Sequence, residues 1–121
     1  MKKKVLIVDD DAFNLLLEKD LLTVAGMEVF QAENAADGIA IAKKEKPDII
    51  IMDLRLPDMH GTMAAKILSL DKDVRDIPIV FVTASVLESV LDEISGLKKS
   101  GFIGKPIDTR TFAKEVMKYI K

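Results

Sequence analysis

Asp48-Ile49-Ile50-Ile51-Met52-Asp53 runs without a break into Leu54-Arg55-Leu56-Pro57-Asp58-Met59-His60-Gly61. A run so short and apolar, rich in β-branched residues and closed by Pro and Gly, reads as a strand, Asp48 to Met52, buried on both faces at the centre of a parallel sheet. Asp53 then stands at its carboxyl end. In an open α/β sheet that edge is where ligands bind, so a carboxylate there is placed for chemistry. The plainer alternative is a solvated Asp that merely stops the strand.

Working outward, strand and helix patterns alternate to both ends of the chain. On the amino side, Val5 to Val8 is a short buried strand running into Asp9-Asp10-Asp11. Phe13, Leu16, Leu17, Leu21 and Val24 then recur at helical spacing until Gly26 ends the helix. Glu28 to Glu33 alternates as a second strand, and Asn34 is the N-cap of a helix with Asp37 in its first turn, an apolar face of Ile39, Ala40 and Ala42, and a stop before Pro47. On the carboxyl side, Met63, Ile67 and Leu70 mark a third helix, and Pro78 to Val82 is a fourth strand ending at Thr83-Ala84-Ser85. A fourth helical pattern covers Val86 to about Lys99. Gly101 lets the chain turn into a fifth strand, Phe102 to Gly104, and after Lys105-Pro106 the residue Asp108 caps a last helix carrying Phe112, Val116, Tyr119 and Ile120. Five strands alternating with five helices predict an α/β fold: a parallel sheet covered on both faces.

Composition narrows the function classes. The chain has 121 residues, 49% apolar and 31% charged, which fits one globular domain over 1–121. A formal net charge of -2, with no basic stripe beyond Lys2-Lys3-Lys4, removes the electrostatic case for nucleic acid. The apolar run after those lysines is too short for a signal peptide, and no stretch is long enough to span a membrane. The absence of cysteine excludes disulfides, thiolate nucleophiles and Cys-based zinc sites, and fits a cytoplasmic protein.

A parallel sheet gathers four strand ends on one edge: Asp9, Asp10 and Asp11 after strand one, Asp53 after strand three, Thr83 after strand four and Lys105 after strand five. Clustered carboxylates repel unless a cation sits among them, and a hard divalent ion with oxygen ligands is the natural one. Magnesium suits best, because it takes one or two carboxylates and keeps room for phosphate oxygens. The Thr83 hydroxyl and Lys105 ammonium complete a site for a group with several anionic oxygens.

Val8-Asp9-Asp10, Met52-Asp53, Leu56-Pro57-Asp58-Met59-His60-Gly61, Val82-Thr83-Ala84 and Gly104-Lys105-Pro106 together resemble, in order and over the whole length, the receiver domain of two-component response regulators in its single-domain form. The resemblance implies a flavodoxin-like fold with sheet order 2-1-3-4-5. It also implies Asp53 as phosphoacceptor, Asp10 as a direct ligand of Mg2+, Asp9 as an acid holding the metal through water, and the main-chain carbonyl of Arg55 as a further ligand. Thr83 and Lys105 correspond to the hydroxyl and ammonium that bind the phosphoryl group, Lys105-Pro106 to a peptide often cis in the family, and Phe102 to the aromatic that swings inward with Thr83 on activation. Asp11 has no family role and reads as the N-cap of the first helix. His60 reads as a solvated loop residue, while the Arg55 side chain lies beside the expected phosphate.

Function then follows as an expectation. Asp53 takes a phosphoryl group from a histidine kinase or histidine phosphotransfer protein, and the chain, itself no enzyme beyond its own phosphorylation and dephosphorylation, changes a partner-binding surface. That surface is expected on the fourth helix, strand five and the last helix, because Val86, Leu87, Val90, Leu91, Ile94 and Leu97 span roughly 140° of helix, wider than the stripe of about 100° a core needs. Two rivals remain. A haloacid-dehalogenase-like phosphatase would use Asp9 as nucleophile, but the Thr or Val expected two places after Asp11 and a later acidic pair are missing. A pseudo-receiver would keep the fold and lose phosphorylation, which the intact Asp9, Asp10, Asp53, Thr83 and Lys105 oppose.

Overall fold

The computed structural model describes residues 2–83, 100–105 and 107–120. Five strands, β1 (Lys4–Val8), β2 (Glu28–Ala32), β3 (Ile49–Asp53), β4 (Ile79–Thr83) and β5 (Ser100–Gly104), form one sheet in the order β2-β1-β3-β4-β5. All four pairings are parallel, as the alternating pattern predicts. The described helices are α1 (Ala12–Val24), α2 (Ala35–Glu45), α3 (Gly61–Ser69) and α4 (Phe112–Met117). The predicted helix from Val86 to Lys99 lies outside the described residues.

Period-two alternation splits the core into two layers. Val5, Ile7, Ile49, Ile51, Val80, Val82 and Ile103 pack with Leu15 and Leu22 of α1 and Phe112 and Val116 of α4. Leu6, Val8, Ile50, Met52, Ile79 and Phe81 pack on the opposite face with Ala35 and Ala42 of α2 and Ala64, Ala65 and Leu68 of α3. Each fully buried Ile or Leu removes enough apolar surface to contribute about 1.5–3 kcal/mol. Continuing the alternation two residues past Ile7, Ile51 and Ile103 puts Asp9, Asp53 and Lys105 on the α1/α4 face. Registers Val8↔Met52, Asp53↔Val82 and Thr83↔Gly104 bring these strand ends level.

Two helices, α1 and α3, bury other faces than their apolar spacing predicts, and α2 keeps most of its expected face. In α1 the buried residues are Leu15, Glu18 and Leu22, Leu17 and Leu21 are half-buried, and Phe13, Leu16 and Val24 are exposed. Leucines at 15, 16, 17, 21 and 22 surround the helix, so hydropathy alone cannot choose a face, and a Glu in the true stripe conceals it. In α3, Gly61, Thr62, Ala64, Ala65 and Leu68 are buried, while Met63, Ile67 and Leu70 point outward. Close approach at the start of the helix explains the inversion: a Cβ at Gly61 would collide with the Asp53 carbonyl oxygen, so the first turns of α3 meet the sheet through small side chains. In α2, Gly38 lies where a Cβ would meet Val8, Ala35 and Ala42 are buried beside it, Ile39 is half-buried and Ala40 is exposed.

Helix ends follow the sequence more closely. Gly26, at φ 92°, terminates α1, with its N–H donating to the Thr23 carbonyl. The last helix begins later than expected. Asp108 caps a turn, accepting from the Arg110 N–H at 2.9 Å, and α4 starts only at Phe112 after Thr111, whose side chain makes no cap bond. In α4 Phe112 and Val116 are buried as predicted, with Tyr119 and Ile120 packed half-buried against the same core.

Candidate functional site

The tight turn after β1 begins the site. Asp9 is 1% exposed. Its N–H donates to the Ala32 carbonyl at 3.0 Å, its Oδ1 accepts from the Asp11 N–H at 2.9 Å, and its Oδ2 accepts from Lys105 Nζ at 3.3 Å. Asp11 in turn caps α1, accepting from the Phe13 N–H at 2.9 Å and the Asn14 N–H at 3.2 Å, which agrees with its reading from sequence. Across from it, half-buried Asp53 accepts from the Arg55 N–H at 3.2 Å on Oδ1 and from Lys105 Nζ at 3.3 Å on Oδ2. One ammonium therefore bridges two carboxylates from non-adjacent parts of the chain.

Burial pushes the Asp9 carboxyl above its ordinary value, against the lowering effects of the Asp11 N–H and the Lys105 charge. Lys105 feels desolvation pulling its ammonium down, but the Asp9 and Asp53 charges together raise it above the usual lysine range. The site thus holds a carboxylate reluctant to stay charged and an ammonium reluctant to lose charge. Additional positive charge is what such a cluster lacks. One carboxylate oxygen from each of Asp9, Asp10 and Asp53 lies within 4.8 Å of the others, with Asp10 exposed toward solvent. These hard oxygens at that spacing fit a small divalent cation.

Not every expected group can be placed. Thr83 ends β4 beside Gly104, but its side chain is not among those described, and Pro106 with the Lys105-Pro106 peptide also lies outside the described residues. Phe102 is on β5 opposite Phe81 and is 45% exposed. The Arg55 side chain is exposed, and its backbone bridges to His60. His60 is exposed, as a solvated loop residue should be, and also caps α3: Nδ1 accepts from the Thr62 N–H at 3.3 Å and lies 2.7 Å from Thr62 Oγ1.

Two acids escaped the sequence reading. Glu18 is 2% exposed on the α1 face that covers the sheet. Burial drives its carboxyl up to about 8, with further raising from Asp9 and then Asp53 opposed by Lys105. The spacing Leu15, Glu18, Leu22 was the available signal, a charge on an i, i+3, i+7 stripe. Asp58, exposed in the β3–α3 loop, accepts from the Ala35 N–H on Oδ1 and the Ala36 N–H on Oδ2, both at 2.9 Å. Those two N–H groups hold its carboxyl below the usual range.

A five-stranded 2-1-3-4-5 sheet with clustered acids and a bridging lysine at its carboxyl edge defines a phosphorylation-controlled signalling domain. The model for the response regulator receiver domain matches residues 5–117, and the chain belongs to that family. It is 32% identical to the polar-differentiation response regulator DivK of Brucella anthropi, over 99% of this chain and 98% of that protein. Among solved structures, the chemotaxis response regulator CheY4 of Vibrio cholerae is 27% identical with a TM-score of 0.92, covering 99% of this chain and all of that one. A receiver domain of the Pseudomonas aeruginosa sensor histidine kinase PA1611, 21% identical with a TM-score of 0.87 over 98% of this chain and 98% of its own, shares the fold and holds magnesium in its active-site cleft. The chain is a phosphorylation-activated switch of two-component signalling. Nothing in the site favours Asp9 as a nucleophile, since it is almost wholly buried whereas Asp53 is only half-buried.

Proposed function

We propose that Asp53 accepts the phosphoryl group, and the observation that carries this is Lys105 Nζ at 3.3 Å from both Asp53 and Asp9. An Asp53 oxygen attacks the phosphorus of a phosphohistidine on a histidine kinase or phosphotransfer protein. The P–N bond breaks, its electron pair stays on the imidazole nitrogen, and an acyl phosphate remains on Asp53. Asp9, Asp10, Asp53 and the Arg55 carbonyl would hold Mg2+, which supplies positive charge to the phosphoryl oxygens when bound. Lys105 leaves the carboxylate for a phosphoryl oxygen, and Thr83 supplies a hydroxyl to another. Attack of water on phosphorus later breaks the P–O bond to Asp53 and restores the carboxylate.

The chain acts as one receiver unit over 1–121, in the cytoplasm, with no nucleic acid or membrane of its own to bind. Among the described residues no helix is long and apolar enough to cross a membrane. Output runs through the segment Val86 to Lys99, β5 and α4, a reading supported by the exposure of Phe102 on β5. Incubation with acetyl phosphate and Mg2+ should add one phosphoryl group by mass spectrometry, and Asp53→Asn should remove it. Equal labelling of Asp53→Asn would overturn the assignment. Amide NMR shifts along Val86 to Leu97 and around Phe102 on adding beryllofluoride test the output surface.

A further inference from the structure

The β3–α3 loop is pinned at three places. At its stem the Gly61 N–H donates to the Leu54 carbonyl at 2.7 Å, and Arg55 bridges to His60. Leu56 and Met59 seat its underside against the core. At its tip both carboxylate oxygens of Asp58 are taken by backbone N–H groups of another element, the first turn of α2. Helix α2 already has its own cap: Asn34 Oδ1 accepts from the Asp37 N–H at 2.8 Å, and the Asn34 carbonyl accepts from the Gly38 N–H at 3.1 Å. Asp58 satisfies the two N–H groups that Asn34 does not reach, at the positive end of the helix dipole.

The connections close a ring. Asp9 donates its N–H to Ala32 at the end of β2, and β2 leads through Glu33 and Asn34 into α2. Asp58 ties the start of α2 to the loop that returns through Arg55 to Asp53. The two acids bridged by Lys105 are thus also joined the other way round, through main chain and one carboxylate. We propose that Asp58 is a positioning residue for the divalent site: by clamping the loop tip to α2 it fixes where the Arg55 carbonyl points relative to Asp9 and Asp53. This rests on the reading of that edge as an Mg2+ site. Outer partners that orient metal ligands typically govern about 10–100-fold in affinity.

Linkage makes the coupling visible from the other end. If the clamp favours Mg2+ binding tenfold, Mg2+ must favour the clamp tenfold. Amide exchange at Ala35 and Ala36 in the wild-type protein should therefore slow by up to about tenfold on saturation with Mg2+. The mutational test compares Asp58→Ala, Asp58→Asn and Asn34→Ala by Mg2+ titration and by Tm without metal. Asn34→Ala weakens the same helix end but leaves the loop clamp in place. Asp58→Ala should raise the Mg2+ Kd about tenfold, Asp58→Asn should recover part of that loss, and Asn34→Ala should leave the Kd unchanged although its Tm falls. Equal Kd changes in Asp58→Ala and Asn34→Ala, or an unchanged Kd in Asp58→Ala, would overturn the proposal. Failure of the wild-type protein to bind Mg2+ would instead overturn the site reading on which it rests.

Discussion

Two groups of carboxylates lie at the same edge of the sheet, on opposite faces, and are held by opposite means. Asp9 and Glu18 sit on the α1/α4 side, almost wholly buried, and burial raises both. Asp58 sits on the α2/α3 side, exposed, and the Ala35 and Ala36 N–H groups lower it. Desolvation leaves an acid in want of positive charge, whereas paired N–H groups leave it satisfied. The first condition suits a carboxylate beside a cation site, as at Asp9. The second suits a group whose task is to keep a loop still.

The largest effect expected from this contrast belongs to Glu18. Its carboxyl sits at about 8 in the folded state against 4.5 unfolded, so between those values the folded chain holds a proton that the unfolded chain releases. Stability therefore falls as pH rises through that window, by an amount on the order of a few kcal/mol. Glu18→Gln should flatten the dependence, and Glu18→Leu should be more stable than wild type at pH 8 or above. Urea unfolding across the window measures both, and a wild-type curve parallel to Glu18→Gln would erase the contrast from its buried side. Next comes Lys105→Met, which strands Asp9 and Asp53 without their cation. Because Lys105 keeps some solvent access, the cost at neutral pH should be about 1–3 kcal/mol, recovered on acidification or with Mg2+. Thermal unfolding with and without the ion checks it.

The exposed side should respond less and with the opposite sign. Asp58→Ala should lower Tm by less than Lys105→Met does, and the difference from wild type should vanish only as pH falls through the lowered Asp58 value, below the ordinary 3.8. Smallest of all, His60→Asp should stabilise by about 0.5 kcal/mol, since a carboxylate is the better acceptor at the start of α3. A loss of stability in that variant would show that the Thr62 contact matters more than the cap.

How much of this was readable in advance depends on distance along the chain. The strands were legible because runs such as Ile49-Ile50-Ile51-Met52 carry their burial in their own composition, and the gathering of Asp9, Asp53 and Lys105 follows from topology. The faces of α1 and α3 were not. Leucine surrounds the first, and the second packs through Gly61, Ala64 and Ala65, which hydropathy barely weights. The Asp58 clamp was invisible because its partners lie 22 and 23 residues away on backbone atoms that every residue possesses. Glu18 offered a local signal, a charge within a leucine stripe, that weighing the helix by its apolar residues alone passes over.

Gly101 gives the protein an optical handle. A Cβ at that position would stand 2.5 Å from the Tyr119 hydroxyl, so the bare strand lets the ring lie directly against β5. Tyr119 is the single tyrosine of a chain without tryptophan. Its emission is thus an unlabelled reporter of one place, the seam between β5 and the last helix, one residue from Phe102. Any rearrangement of that strand on phosphorylation should change the intensity of the whole protein's fluorescence, read without mutation or dye.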